Sequence, residues 1–486
     1  MIHGTVTRSL LVCAFIPLLK PLKDPSKTDS YRAIASSSLV LKLLDNVVIL
    51  LWGNLLSSDS LQFGFKPMVS TTTCTWLVSE VTSYYIRSGT PVITTLLDCS
   101  KAFDKCKFVP LFEKLLDRNL PPIVVRMFIF IYTQQEAWVK WGTVISEKFK
   151  IANGTRQGSV LSPCLFSIYL DDLLKELRYY GLGCHMGGLW IGAVAFADDL
   201  LLMSPSRSAM AAMLKVCEDY GIRLNLTFST DIDPAKSKSK AIFMTGPKLK
   251  KVKKPTPLCL YDQILPWVSH ATHLGHELHE NGDQSFDCRI KRASFIENSV
   301  QLRETFKFAY PAQVLKAIQI NCCDFYGSML WNLFDKNSQQ LYNSWNTCVK
   351  LVWEIPRNTH TLFVKPLACS LPSIRVQILG RYTKFYNSLL TSKSKEVAVV
   401  SRLVGRNAQT VTGLNLLNIR KETNQTQYSN ARQVRKALYD MYFDTQSDDE
   451  WKTVLLFKYL RLRNELRSKM EETSYIDDLI NSLCSS

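Results

Sequence analysis

The chain has 486 residues, 46% of them hydrophobic, enough for a sizeable core and about two to four domains. Its formal charge is +17 and its pI about 9.2, an excess that favours an acidic polymer as partner. No apolar run reaches the roughly 18 to 20 residues that span a bilayer, and the 14 cysteines include no C-x-x-C pair, which argues against a membrane protein, a zinc ribbon and a disulfide framework and for reduced, intracellular thiols.

Residues 8 to 35 read as a β-hairpin: apolar LLVCAFI, a Pro-centred turn in KPLKDPSK, then SYRAIAS. The run Leu10 to Leu19 could pass for a signal core, but it contains Pro17 and leads into Lys20 and Lys23 rather than a small-residue cleavage site. Helical periodicity follows over 39 to 56, and STTTCTWLVSEVTSYYI, 70 to 86, opens with capping residues and continues as an amphipathic helix. PVITTLLDCSKAFD, 91 to 104, is a strand running into a turn, with helices expected over 109 to 118 and 121 to 134. NGTRQGSVLSPCLFSIYLDDLLKEL, 153 to 177, is a Gly-punctuated loop feeding a helix, with Ser162 as N-cap and Pro163 at the first helical position. Phe166, Leu170, Leu173, Leu174 and Leu177 form its buried stripe. AVAFADDLLLMS, 193 to 204, is a strand, a tip and a strand; a helix over 207 to 221 and a strand ending AIFMTG come next. The lysines of GPKLKKVKKP, 246 to 255, mark a boundary, and 259 to 486 reads as mostly helical without internal repeat or low-complexity tract.

Asp198 and Asp199 stand where an apolar strand pattern asks for Val or Leu, with no Lys or Arg in the run. Unpaired carboxylates are rarely left in such a setting, and two neighbours repel one another. A divalent cation is the economical neutraliser. Asp98 ends another apolar strand, where its carboxylate could face the hairpin tip. Three carboxylates from two adjacent strands make a cage for two Mg²⁺ ions, hard cations that keep substrate phosphate and water as further ligands. Two such ions about 4 Å apart can activate a 3′-hydroxyl and stabilise a pyrophosphate leaving group, which is nucleotidyl transfer.

D-x-x-x-A-F-D at 98 to 104, G-T-R-Q-G-x-x-L-S-P at 154 to 163 and F-A-D-D at 196 to 199 occur in order. They resemble the palm motifs of reverse transcriptases of non-LTR (LINE-type) retrotransposons. YRAIAS at 31 to 36 and QFGFKPMVST at 62 to 71 resemble that family's finger motifs, and FSTDIDPAKSKSKAIFM with LPWVSHATHLGHEL resembles its Crack and Daphne branches. The likeness covers roughly residues 10 to 290. It implies a right-hand polymerase of α+β class, with an antiparallel palm sheet backed by helices: fingers and palm over 1–245, thumb over 246–345 and a basic helical region over 346–486. The activity implied is RNA-templated DNA synthesis with two Mg²⁺, for which Mn²⁺ can substitute, and the partners are an RNA template, a DNA primer and dNTPs. Asp98, Asp198 and Asp199 match the metal ligands; Phe103 matches the bulky residue beneath the sugar, which selects dNTPs; Gln157 and Gly158 match the loop against the incoming nucleotide, and Arg32 the finger arginine on the triphosphate. Lys20, Lys23 and Arg156 are further candidates for phosphate, Arg156 equally for a solvated position. Lys236 or Lys238 matches the lysine that protonates the leaving pyrophosphate, the KSKSK repeat leaving the register open. The resemblance also implies nuclear or cytoplasmic synthesis without membrane attachment. With Met1 just upstream of the finger hairpin, it implies that the early finger extension and the endonuclease domain of many LINE proteins are missing. The second reading is a catalytically inactive RNA-binding remnant of such an element.

Two acidic or basic clusters compete for attention. Asp171 and Asp172 are adjacent on a helix, diverge by about 100° and cannot jointly hold an ion, so a structural or solvated role is expected. His270, His273, His276 and His279 recur every third residue; within one strand such spacing alternates faces and no Cys lies nearby, which argues against a zinc site, and the HLG core resembles the primer-grip turn of that family.

Overall fold

Valine, isoleucine, threonine and leucine alternate through VITTLLD with both faces apolar enough to bury, and this segment, the strand Val92–Asp98, takes the centre of a five-stranded sheet. In the computed structural model, which describes residues 5–21, 23–100, 102–156, 158–231, 233, 236–246, 249, 252–283, 285–368, 371–425, 431–443, 450–468 and 473–485, the strand order is Trp267–Val268, Lys240–Met244, Val92–Asp98, Asp199–Ser204, Ala193–Phe196. Neighbours are antiparallel except the edge pair Trp267–Val268 and Lys240–Met244, which runs parallel. Helices Thr71–Arg87, Ser162–Tyr180 and Arg207–Leu224 pack on this sheet. The stripe Phe166, Leu170, Leu173, Leu174, Leu177 is wholly buried, each side chain stabilising the layer by about 2 kcal/mol.

The hairpin read from residues 8 to 35 forms as Val12–Leu19 against Tyr31–Ser36. It is not alone. Glu136–Trp141 adds parallel to Val12–Leu19, and Val144–Ile145 and Phe149–Lys150 complete a second five-stranded sheet. Sequence reading assigned nothing between 134 and 153, because EAWVKW is a half-exposed strand whose pattern resembles no buried run. Ser162 also departs from expectation. The helix begins at Ser162 with Leu161 in the cap position, and the Ser162 hydroxyl donates to the Arg156 carbonyl (2.6 Å) instead of capping.

Residues cluster into two units, Met1–Ala271 with Lys393–Glu396, and Thr272–Ser392 with Val397–Ser486. The second is helical, its longest members being Ser285–Thr305, Lys336–Val352, Ile374–Leu390 and Glu450–Ser468. The expectation of helix from 259 onward fails over its first twenty residues: Leu258–Leu260 pairs with Gln263–Leu265, and His270–His273 with His276–His279. Among the described residues no helix is long and apolar enough to cross a membrane.

The histidine repeat is where alternation misleads. Leu274 and Gly275, both at positive φ (52° and 79°), reverse the chain, so His273 and His276 fall on the same inner face, 4% and 2% exposed. Among the described residues neither ring has a hydrogen-bond partner. His276 stacks on Tyr326 with ring centroids 4.5 Å apart. Burial, then the charge of His276, pushes His273 down to about 3; burial, then the charge of Lys291, pushes His276 down to about 4. Both therefore fold neutral. Their contribution is intact above the unfolded value near 6.5 and is lost as pH falls from there toward 4 and 3. We expect urea midpoints to drop between pH 6.5 and 5 by the equivalent of about 2 kcal/mol per histidine. The His273→Phe variant should have a flatter profile over that interval; an unchanged slope would remove the histidine as its source.

Candidate active site

Register brings the carboxylates together. In the antiparallel pairing of Val92–Asp98 with Asp199–Ser204, Asp98 lies directly opposite Asp199, and Asp199 is opposite Phe196 on the other side. Directly opposed residues share a face with Cβ atoms about 5 Å apart, and like charges there repel. Asp198 occupies the two-residue tip. Partial withdrawal from water is the largest cause of a raised Asp199 carboxyl, at about 6, with Asp198 and then Asp98 adding to it. Asp198 is raised by burial and by Asp98, against a lowering hydrogen bond from its own backbone. The cluster is thus short of positive charge. Lys238 Nζ stands 3.5 Å from Asp98 Oδ2, while Lys236 pairs with Asp233 at 3.5 Å. Ser239 Oγ accepts from the Asp98 amide (3.2 Å), and the Ser229 amide donates to the Asp98 carbonyl (2.7 Å), tying the strand end to the segment that precedes Lys240–Met244.

Five residues after Asp98, Phe103 stacks on Phe166 (centroids 4.5 Å, 25°) and meets Phe65 edge-on at 6.4 Å. It is half-buried between these two rings. The loop from Gly154 is stapled to this segment: Gly154 and Thr155 amides donate to the carbonyls of Cys106 (2.9 Å) and Phe103 (2.7 Å). Gly158, at φ 81°, backs onto the finger hairpin so tightly that a Cβ would stand 2.3 Å from the Ala35 carbonyl oxygen. Gln157 lies outside the described residues. On the hairpin, Arg32 is exposed and paired across from Leu18, and Lys20 and Lys23 sit at its turn.

Arg156 is neither solvated nor open to a phosphate. It is 5% exposed, its Nη2 is 3.0 Å from Asp45 Oδ2, and Ser159 Oγ donates to the same oxygen at 2.6 Å. Asp45 comes from helix Leu39–Trp52, and sequence reading passed over it. The available signal was of the same kind as at Asp198: one acid among LVLKLLDNVVILLW, buried on the same helix face as Leu41 and Val48. The pair Asp171 and Asp172 is structural, as expected. Asp171 accepts from the Asp59 amide and from Arg118 (both 2.5 Å) and pairs with Lys175 (2.8 Å), while Asp172 pairs with Lys114.

An antiparallel sheet with opposed carboxylates at one end, backed by helices and flanked by a finger hairpin, defines a right-hand polymerase. The chain belongs to the reverse transcriptase (RNA-dependent DNA polymerase) family, whose profile matches residues 22–277. Among its relatives, the Pol polyprotein of the type-2 retrotransposable element R2DM of Drosophila melanogaster is 28% identical over 221 residues, covering 43% of this chain and 20% of that protein. The R2 polyprotein of Nasonia vitripennis is 26% identical over 275 residues, covering 56% and 26%. These are non-LTR retrotransposon proteins, and the matched stretch spans about a fifth to a quarter of their length. Among solved structures, apo telomerase from Candida tropicalis aligns with 12% identity and a TM-score of 0.40, covering 88% of this chain and 69% of that one.

Proposed function

We propose that the protein is the RNA-directed DNA polymerase of a non-LTR retrotransposon, extending a DNA primer on an RNA template by nucleotidyl transfer from dNTPs. The observation that carries this reading is the register placing Asp98 opposite Asp199 with Asp198 at the adjoining tip. Among the described residues no three His, Cys, Asp or Glu side chains stand close enough together to hold a metal ion by themselves, so the fit rests on the chemistry of the donor set. Three hard-oxygen donors with open positions between them fit Mg²⁺, or Mn²⁺ in its place, ions that retain water and phosphate ligands. Asp98, Asp198 and Asp199 would hold two such ions, which supply a more acidic primer hydroxyl and a neutralised leaving group.

The remaining roles belong to the chain itself. Lys238 is the cation beside Asp98 and the proton donor to pyrophosphate; Lys236, held by Asp233, is not. Arg32, with Lys20 and Lys23, grips the triphosphate from the finger hairpin, and Gly158 with Gln157 lets the loop backbone approach the nucleotide. Arg156 acts through Asp45, not on phosphate. Residues 1–245 serve as fingers and palm, 246–345 as thumb and 346–486 as a basic helical extension, with the duplex bound mainly through its backbone. The setting is intracellular, nucleus or cytoplasm.

Phe103 is the wall beneath the sugar. We expect Phe103→Val to raise incorporation of ribonucleotides relative to deoxyribonucleotides by at least about 10-fold, read from kcat/KM ratios. An unchanged ratio would leave Phe103 as a core ring alone. The function itself is tested by primer extension on poly(rA)–oligo(dT) with Mg²⁺. Extension supports the polymerase, whereas duplex binding without extension would identify a catalytically inactive RNA-binding remnant.

A further inference from the structure

We infer that Gln62 is a positioning residue for the carboxylate pair: its side-chain amide closes on the backbone of Ala197 and fixes the hairpin tip that presents Asp198 and Asp199. This rests on the polymerase reading for its consequence, though not for its geometry.

The tip has only two residues, Ala197 and Asp198, between the paired Phe196 and Asp199. So tight a reversal needs a left-handed first residue, a position usually given to glycine or asparagine. Ala197 holds it at φ 58° with a Cβ in place. Both of its polar backbone groups are taken by one side chain: the Ala197 amide donates to Gln62 Oε1 (2.8 Å), and Gln62 Nε2 donates to the Ala197 carbonyl (3.2 Å). Oε1 also accepts from the Gly64 amide at 2.9 Å, so the amide can be oriented only one way, oxygen toward two N–H groups and nitrogen toward a carbonyl.

The delivery of this side chain is equally specified. Leu61 to Phe63 runs beside Ala195 as an added parallel bridge, with the Phe63 amide donating to the Ala195 carbonyl (2.7 Å) and the Ala195 amide to the Leu61 carbonyl (2.9 Å). At Gly64 a Cβ would stand 2.3 Å from the Ala197 nitrogen, so only glycine lets the segment close on the tip. Gln62 is 1% and Ala197 5% exposed, so in the folded protein the amide and not bulk solvent satisfies these backbone groups. Without it, Ala197 has neither its partners nor a reason to stay left-handed, and the next two residues of the chain are Asp198 and Asp199.

The test compares the full chain with its Gln62→Ala, Ala197→Gly and doubly substituted forms, by hydrogen exchange and by primer extension. At the tip, residues 196–199, exchange should be at least about 10-fold faster in Gln62→Ala, while the strand Val92–Asp98 stays protected. In extension, kcat should fall about 10- to 100-fold with the KM for dTTP nearly unchanged. Ala197→Gly removes the penalty of the left-handed conformation, so it should recover at least about 3-fold of that kcat in the Gln62→Ala background and none in the parent. Parent-like exchange at the tip overturns the clamp. Lost kcat with protection lost throughout and no recovery by Ala197→Gly reduces Gln62 to a core residue, also overturning it. If Gln62→Ala does not fold, Gln62→Glu, which keeps the volume but cannot donate to the Ala197 carbonyl, is read the same way. A parent that never extends a primer defeats the polymerase reading, while tip exchange still decides the clamp.

Discussion

Replacement of Asp198 or Asp199 by Asn should cut primer extension by at least about 10³-fold, because each carboxylate is asked to stabilise charge that develops in the reaction. The same substitution should leave the protein no less stable, and at Asp199 more so. The sign follows from the raised carboxyl: with a folded value near 6 against an ordinary 3.8, the group folds more readily protonated. Its stabilising effect is complete below pH 3.8 and is lost as pH rises through about 6, so at pH 7.5 the charged form costs stability. Asn never charges. The side chain is open to solvent on one side, which screens the gain, and a rise in thermal midpoint of about 1–3 °C is expected in divalent-free buffer. Activity gone with a midpoint raised or unchanged locates the chemistry at these residues. Activity retained in Asp198→Asn would remove Asp198 from the chemistry, whatever the midpoint.

Asp45→Ala should cost about 3–5 kcal/mol, read as a lowered urea midpoint, since it strands a buried guanidinium. Among the described residues Arg156 Nε and Nη1 already have no hydrogen-bond partner although buried, and Ser159 Oγ would lose its acceptor as well. The diagnostic is the double variant Asp45→Ala, Arg156→Met. With charge removed from both sides, most of the lost stability should return, giving a coupling energy of about 2–3 kcal/mol. Additive losses would show that the two side chains touch without depending on each other. Because Arg156 also offers its carbonyl to Ser162 Oγ, the loop carrying Gly158 should loosen in Asp45→Ala. KM for dNTP should therefore rise more than kcat falls.

What the sequence makes legible is whatever violates its own pattern. Asp98, Asp198 and Asp199 stand out because ionised groups interrupt apolar strands, and the helix stripe from Phe166 to Leu177 stands out because it repeats. The strand Glu136–Trp141 does neither. It is half-exposed, and its partner Val12–Leu19 lies more than a hundred residues away, so no local period announces it. The Asp45–Arg156 pair and the Gln62 clamp are separated by 111 and 135 residues, and nothing in either neighbourhood names the other half. His273 and His276 show the opposite failure: a period was present, but the positive-φ turn between them reversed its meaning. Ser162 shows a smaller one, a hydroxyl of capping type spent on a loop carbonyl.

The pairing of Asp98 with Asp199 has a consequence for how the sheet assembles. Side chains alternate with a period of two, so a slip of one residue would set Leu97 against Asp199 and turn every neighbour to the wrong face. Carboxylates that belong at the sheet's open end would then be driven into its apolar layer, and leucines out of it. A misaligned strand therefore carries its own penalty in buried charge. The repulsion that strains the finished site acts as a proofreader while the site is being made, since a one-residue slip in either direction takes these charges away from the water that reaches them in the native register.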